Sequence, residues 1–447
     1  MKKIFLAAII CCIAFISNAQ TLGYNDIGVL FSKEKINGTA RYNAMSGAFG
    51  ALGGDLSAME ANPAGAAVFM KSEFSLSFGI NDSETSSNYY GNSVLTDNSN
   101  SDITQAGGVF VFKTNNRGSD WGKIALGFNF GIANDFEDFW IANGNSNYPT
   151  WIDDANDINI AYLNSTGQYF ENLTNGKNNK YSFTFASEYN NNLYLGASIT
   201  TYDIEHYQRT LLEENNNDGN GNNLDASLIQ ELYTFGDGVS FNLGLISKPS
   251  DNVRLGLAYQ SPVWYNLSED YLDYDVEVYY SNTNELISDF SGISAFDYKL
   301  KTPSKLTGSF AYIFEKQGLI SIDYIYKNYS NIKLTNAEFS NENNSFKTDL
   351  ESTGEFRIGT EWRFDNISLR GGYYLETSPY KNALETDNLE GFSLGAGYKF
   401  RGGKIDISYQ NSSYTAPYNF YPQYNTIDAA ELNIDNSKIT ATLVLNI

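Results

Sequence analysis

The chain has 447 residues, one histidine, two cysteines and a formal net charge of −23, with 33 tyrosines and 29 phenylalanines. So acidic a balance argues against a nucleic-acid binder, which needs a basic surface to release counterions. Both cysteines, Cys11 and Cys12, lie near the N-terminus, and the chain beyond them has no thiol for a disulfide framework, a thiolate metal site or a nucleophile.

Lys2 and Lys3 precede an apolar run from Ile4 to Ile16 and the small-residue stretch Ser17-Asn18-Ala19. That order predicts a secretory signal peptide over residues 1–19, cut after Ala19. Losing the two lysines takes the charge to −25. The run is too short for a membrane-spanning helix, and no later apolar run is long enough either. A closed barrel can still cross a bilayer, because closure satisfies every backbone group and only alternate residues need be apolar. Composition alone leaves a secreted β-sandwich or propeller open as well.

Residues 20–71 do not read as strand. From Gly38 to Ala67 the chain is rich in Ala and Gly, with Met and no β-branched series. Ala44, Met45, Ala48, Phe49 and Leu52 fall at helical spacing around Gly47, and Leu56, Ala58 and Met59 suggest a second short helix opened by Asp55. Gly53-Gly54 is expected to end the first helix, and Asn62-Pro63 the second. Small residues allow close packing against a wall, so this stretch is expected to fold inside a barrel as a hatch, with a periplasmic tail as the alternative. Asn62-Pro63 would be its fixed point, with Ala64, Gly65, Gly47 and Phe49 as further hatch or gating candidates.

From residue 72 onward, period-2 alternation recurs. Phe356, Ile358, Thr360, Trp362 and Phe364 share one face, against Arg357, Gly359, Glu361 and Arg363 on the other. Similar alternation marks strands near 72–81, 105–114, 121–132, 180–189, 192–205, 238–247, 252–262, 305–314, 318–329, 355–364, 366–375, 391–400, 403–412 and 437–447. A sandwich would have to cover the apolar faces, whereas a barrel in lipid need not. The fold expected is therefore all-β: an antiparallel transmembrane β-barrel of about 14 strands over residues 72–447, with a small N-terminal helical hatch inside. Short turns at Asn115–Asp120, Asn190–Asn191, Lys248–Asp251, Glu315–Gln317, Asp365 and Arg401–Gly402 alternate with long polar loops near 82–104, 133–179, 206–237, 263–304, 330–354, 376–390 and 413–436. Long loops are expected outside, and both termini in the periplasm. Outward aromatics at the short-turn ends, such as Phe110, Phe112, Tyr312, Phe314, Trp362, Phe364, Tyr398 and Phe400, would form one interfacial girdle.

Between Ala133 and Asn179 the acids Asp135, Glu137, Asp138, Asp153, Asp154, Asp157 and Glu171 face the single base Lys177. They read as a solvated loop surface, with cation or lipopolysaccharide bridging as the alternative. Asn216, Asp218 and Asn220 have a calcium-loop rhythm, but Ser227 stands where the bidentate Glu belongs, so a flexible loop is expected and no metal site. His206, the lone histidine, is the only general-base candidate. It reads as a surface residue at a strand end, no Ser sits in a nucleophile context, and no catalytic residue or cofactor is assigned.

A small-residue segment ending in Asn62-Pro63-Ala64-Gly65 just before the first strand resembles the outer-membrane long-chain fatty-acid transporter (FadL) family. So do Thr302-Pro303-Ser304, Arg357-Ile358-Gly359-Thr360-Glu361, Leu369-Arg370-Gly371-Gly372-Tyr373 and Thr377-Ser378-Pro379. The resemblance implies a fourteen-stranded monomeric barrel closed by a hatch. It also implies passive uptake of apolar small molecules such as fatty acids or hydrocarbons, released sideways into outer-membrane lipid beside a kinked strand. On that basis Gly127, Phe128, Phe130 and Gly131 are candidates for the lateral opening, since glycine in a strand often marks a bend. The alternative reading is a porin or a surface-binding protein using the long Asn-rich loops.

Overall fold

The computed structural model describes residues 23–113, 120–335 and 339–447. The signal peptide and most of the turn expected at Asn115–Asp120 lie outside them. The barrel opens with β1 (Glu73–Tyr89), β2 (Asn92–Lys113) and β3 (Trp121–Asp135), and β4 (Asp138–Gly144) continues the third strand after a break. β5 (Asn164–Asn175) runs into β6 (Lys177–Tyr189), followed by β7 (Leu193–Asn217) and β8 (Asn223–Ser247). β9 (Val253–Gln260) is prolonged by β10 (Trp264–Tyr280), β11 (Glu285–Phe290) folds back on β10, and β12 (Ile293–Lys301) leads into β13 (Lys305–Phe314). β14 (Gly318–Asn328), the bridge strand β15 (Lys333–Leu334), β16 (Ser352–Phe364), β17 (Ile367–Glu376), β18 (Leu389–Phe400), β19 (Gly403–Tyr418) and β20 (Ala430–Asn446) complete the chain.

Every pairing between strands is antiparallel, and β1 closes on β20 from Glu73↔Asn446 to Asn88↔Glu431, giving a closed barrel of 14 strands. Closure removes the edges that would otherwise leave backbone groups unpaired in lipid. The outward face is an apolar belt in which Phe74, Leu76, Phe78, Leu243, Leu257, Leu394, Ile407 and Leu443 are all exposed. Phe110, Phe112, Tyr312, Trp362, Phe364 and Tyr398 are exposed at one rim of the belt, as alternation predicts.

The tight turns come where Asn, Asp and Glu can adopt a left-handed backbone: Asn190, Asn191, Glu315 and Asp365 all have positive φ. At the opposite rim the structure departs from the sequence reading. The stretches 82–104 and 206–237 are not loops, because β1 and β2 meet at a turn of two residues, Tyr90-Gly91, while β7 and β8 continue to Asn217 and from Asn223. The outward face turns polar at Asp82 and Glu84 on β1 and at Asp203 and Glu205 on β7, while the strands run on. Apolar alternation therefore marks where lipid ends, not where the strand ends. The stretch 263–304 is likewise mostly strand, and 330–354 contains a helix, Ser340–Asp349.

The supposed flexible calcium-like loop is the tip of the β7–β8 hairpin. There the Asp218 carboxylate accepts from the Asn220 and Asn222 amides, at 2.7 and 3.0 Å.

Candidate functional site inside the barrel

Residues 38–69 lie against the inward faces of strands all round the barrel. The helix expected over Ala44–Leu52 is not continuous: a one-turn helix at Ala40–Asn43 gives way to turns, with Ser46, Gly47, Gly53 and Gly54 all at positive φ. An L side chain is disfavoured there, and the spacing of Ala and Phe serves wall contacts and not one helical face. The second helix is present at Ala58–Ala61, with the Asp55 carboxylate accepting from Ser57 N (3.0 Å) and Thr39 Oγ1 (2.7 Å). A further helix, Tyr24–Leu30, has no precedent in the sequence reading.

Small residues on both sides bring the two backbones together. A Cβ at Gly359 would stand 2.6 Å from the Met45 carbonyl oxygen, and one at Gly372 would stand 2.6 Å from the Met45 carbonyl carbon. The wall–segment interface also carries buried charge. Glu361 receives Arg41 Nε at 2.7 Å, Arg370 Nε at 2.7 Å and Arg363 Nη2 at 2.6 Å, while Arg370 Nη1 reaches Asp406 at 2.7 Å. Beside it Arg357 donates to the Tyr42 hydroxyl (3.2 Å), and the Gly50 amide donates to Asp323 (2.9 Å). Phe49 is fully buried under the Arg41 guanidinium, 5.1 Å from its ring centroid.

Asn62 is buried and fully used. Its amide donates to Gly50 O (2.7 Å) and to Leu245 O on β8 (3.0 Å), and its carbonyl accepts from Ala64 N (3.1 Å) to open the 3-10 turn Pro63–Val68. Gly65 packs on Gly53, where a Cβ would lie 3.0 Å from the Gly53 Cα. Replacing Asn62 with alanine should leave the buried Gly50 carbonyl without this donor, costing about 1–3 kcal/mol, and cut the tie to the Leu245 carbonyl on the wall. The expected result is a barrel that still shows heat-modifiable migration yet leaks small ions; a variant as tight as wild type would deprive Asn62 of its holding role.

On β3 the two candidate glycines face inward and their aromatic neighbours outward. Gly127 makes room for Met59, whose sulfur would stand 2.6 Å from a Cβ there, and Gly131 sits against Glu60 and Lys180. Phe128 and Phe130 pack outside, with tilted rings, on Phe183 and Tyr181. Through this stretch the ladder is intact on both sides, from Lys113↔Lys123 to Gln105↔Gly131 with β2, and likewise with β6.

The interruption begins one residue later. The β3–β6 register shifts between Ile132 and Asn134, the Asp135 carboxylate accepts from Glu137 N (3.1 Å), and Phe136 N bonds to Gly176 O (3.0 Å). This turn redirects β4 inward, where Ile141 O accepts from the inward-pointing Ser87 hydroxyl of β1. Among the described residues, β2 from Asn92 to Thr104 is therefore paired with β1 alone. Side chains cross the seam: Lys177 Nζ binds Asp102 at 2.7 Å and Glu137 at 3.0 Å, and Asn100 donates to Asp135 at 3.1 Å.

Two buried apolar clusters fill the interior beyond the segment. The nearer gathers Ile27, Val29, Phe31, Phe136, Tyr202 and Tyr265. The farther is aromatic, with Phe170 stacked on Phe420 at 4.2 Å and Trp140 edge-on to Tyr418 at 4.9 Å. Over it the buried Glu214 carboxylate ties two connections together by accepting from Thr150 N (2.6 Å) and the Tyr421 hydroxyl (2.8 Å). Beneath the nearer cluster a polar cavity is bordered by Glu34, Lys35, Glu60, Lys180, Lys305 and Arg357. Burial opposes ionisation of Glu34, but Lys305, Lys180 and Lys327 outweigh it and hold the carboxyl well below the usual range.

A closed fourteen-stranded barrel, filled from its N-terminal end and interrupted at its third strand, fits the sequence comparison. A model of the outer membrane protein transport family (OMPP1/FadL/TodX) matches residues 28–416. The chain belongs to this family. It is thus an outer-membrane β-barrel, and its family is one of transporters of hydrophobic compounds and not of enzymes. Among solved structures, a FadL homologue from Pseudomonas aeruginosa superposes with a TM-score of 0.62 at 14% identity, over 93% of this chain and 99% of that one. The P. putida toluene transporter TodX gives 0.54 at 14%, over 93% and 99%, and the CymD monoaromatic hydrocarbon channel gives 0.53 at 14%, over 94% and 98%. At such identity these likenesses concern the fold. No curated protein matches the chain.

Two of the motifs that resemble the FadL family have a structural job here. Arg357, Gly359 and Glu361 on β16 and Arg370 and Gly372 on β17 form the wall on which residues 41–46 rest. Their partners Arg41 and Asp406 escaped the sequence reading, because a lone charge in a small-residue stretch gives no periodic signal. His206 is corrected more sharply: it is fully buried in mid-strand on β7, not exposed at a strand end.

Proposed function

We propose that this protein carries apolar molecules, long-chain fatty acids or similar compounds, passively across the outer membrane, and releases them sideways between β2 and β3. The N-terminal segment closes the barrel below, so the path of least resistance leaves through the wall. One observation carries this reading: the seam where β2 loses its second partner, at the side of the apolar cluster that contains Phe136. Unpaired backbone edge is costly in hydrocarbon. The seam starts above Gln105, near Ile80 and Ile103, beyond which the outward residues of β1 and β2 are polar apart from Leu95, so it sits at the rim of the outer leaflet. An apolar solute gains about 25 cal/mol per Å² on leaving water, so an apolar chamber suits it better than an aqueous pore. The toluene and monoaromatic hydrocarbon transporters of similar fold support the same cargo class.

The test uses the absence of cysteine beyond Cys12. Cysteines introduced at Asn100 and Asp135, which now share a hydrogen bond, would be bridged by oxidation or a short bismaleimide. Uptake of a fluorescent fatty acid by cells should fall strongly on bridging and return on reduction of the disulfide. Uptake indifferent to the bridge would move the exit elsewhere, and a porin would instead show solute flux independent of cargo polarity.

A further inference from the structure

His206 is the lone histidine of the chain and has no exposed surface. Among the described residues, neither Nδ1 nor Nε2 has a hydrogen-bond partner. Two rings pack edge-on against it: Phe31 of the N-terminal segment, centroid 5.6 Å away, and Phe136 at the break in the third strand, 5.1 Å away. Across the sheet its neighbour Thr234 is committed elsewhere, donating to Glu269 at 3.1 Å, and Glu269 also receives the Tyr298 hydroxyl at 3.2 Å. On the other side stands Gly176, which has no side chain to offer and whose backbone crowds Glu205 and His206 too closely for a Cβ. Among the described residues no carboxylate bonds to the imidazole, which in its neutral form presents one N–H and one lone pair. A leucine or phenylalanine would fill this place without leaving a buried donor and acceptor unmatched, a defect that folded chains rarely carry.

Position gives the orphaned group its use. Phe31 also borders a small cavity with Ser32, Gln260, Tyr265 and Lys305, large enough for a water, so a single ring separates the imidazole from open space. Phe136 belongs to the turn that opens the seam. Resting on the transport reading above, we propose that His206 is the headgroup-binding residue of the chamber, and that the cargo is amphiphilic: an apolar body carrying one hydroxyl or carboxyl group. The headgroup takes the place of the Phe31 ring and hydrogen-bonds the imidazole, while the apolar body lies among Val29, Tyr202 and Val263. Pure hydrocarbons bind the same chamber without this bond.

Calorimetric titration of the protein in lipid nanodiscs with 1-octanol, octanoate and octane separates the possibilities. His206→Phe should weaken octanol and octanoate about tenfold and change octane by no more than about twofold, the asymmetry expected when one hydrogen bond is removed. His206→Gln, which keeps a donor and an acceptor, should retain most of the octanol affinity, and both variants should keep heat-modifiable migration. Equal losses for octane and octanol, or no loss for either, would overturn the headgroup role while leaving transport intact. A wild-type protein that binds none of the three overturns the transport reading itself, and this inference with it.

Discussion

Replacing Glu361 by alanine is expected to loosen the N-terminal segment from the wall and to destabilise the protein by about 3–5 kcal/mol, the usual result of stripping one partner from a buried charge network. Glu361 is 1% exposed and holds three guanidinium groups, of which Arg370 is 3% exposed and Arg41 10%. Asp406 would remain to balance Arg370, but Arg41 would keep its bond to the Gly54 carbonyl and the Phe49 ring beneath it without a bonded carboxylate. Urea titration of the heat-modifiable form should show a clearly lower midpoint, and Glu361→Gln should fall between alanine and wild type. An unchanged midpoint would mean that water already solvates these charges, and that the segment is held by packing alone.

A chain lacking residues 23–65 should assemble as a barrel and conduct ions in planar bilayers, where the intact protein is silent. The deletion removes Arg41 and Tyr42, which bond Glu361 and Arg357 inside the barrel, and takes Ile27, Val29 and Phe31 out of the nearer apolar cluster. The wall that remains there is lined by Arg357, Glu361, Arg370, Asp323 and Asp406, a surface that water and ions enter readily once the segment is gone. Persistent current steps are the expected record. If the deleted barrel is as closed as the intact one, closure must be assigned to the aromatic cluster around Phe170 and Phe420 instead.

Much of the barrel is legible because lipid imposes a periodic demand: all fourteen strands stand where alternation puts them, and Glu315–Gln317 and Arg401–Gly402 are the turns between them. The outer extensions were hidden because their outward residues, Asp203 and Glu205 among them, meet water and break the apolar rhythm without breaking the strand. The interior was less legible for a different reason. Arg41 and Glu361 are 320 positions apart, and only the closed barrel brings them to 2.7 Å. The break in the third strand follows from a turn at Asp135–Glu137 and a left-handed Gly176 between β5 and β6, neither of which interrupts the alternation over Lys123–Ile132.

The length of β7 and β8 has one more consequence. At 25 residues each and roughly 3.3 Å per residue, they measure about 80 Å, or about 60 Å of height at a common barrel tilt, against an apolar band of about 25 Å. More than half of each strand therefore stands in water as a tower above the lipid. On the proposed transport reading, a greasy molecule would reach the tower's aromatic interior before the hydrated sugars and phosphates that coat the bilayer. Capture would then be decided out in the medium, and the layer that repels the molecule would be passed from within.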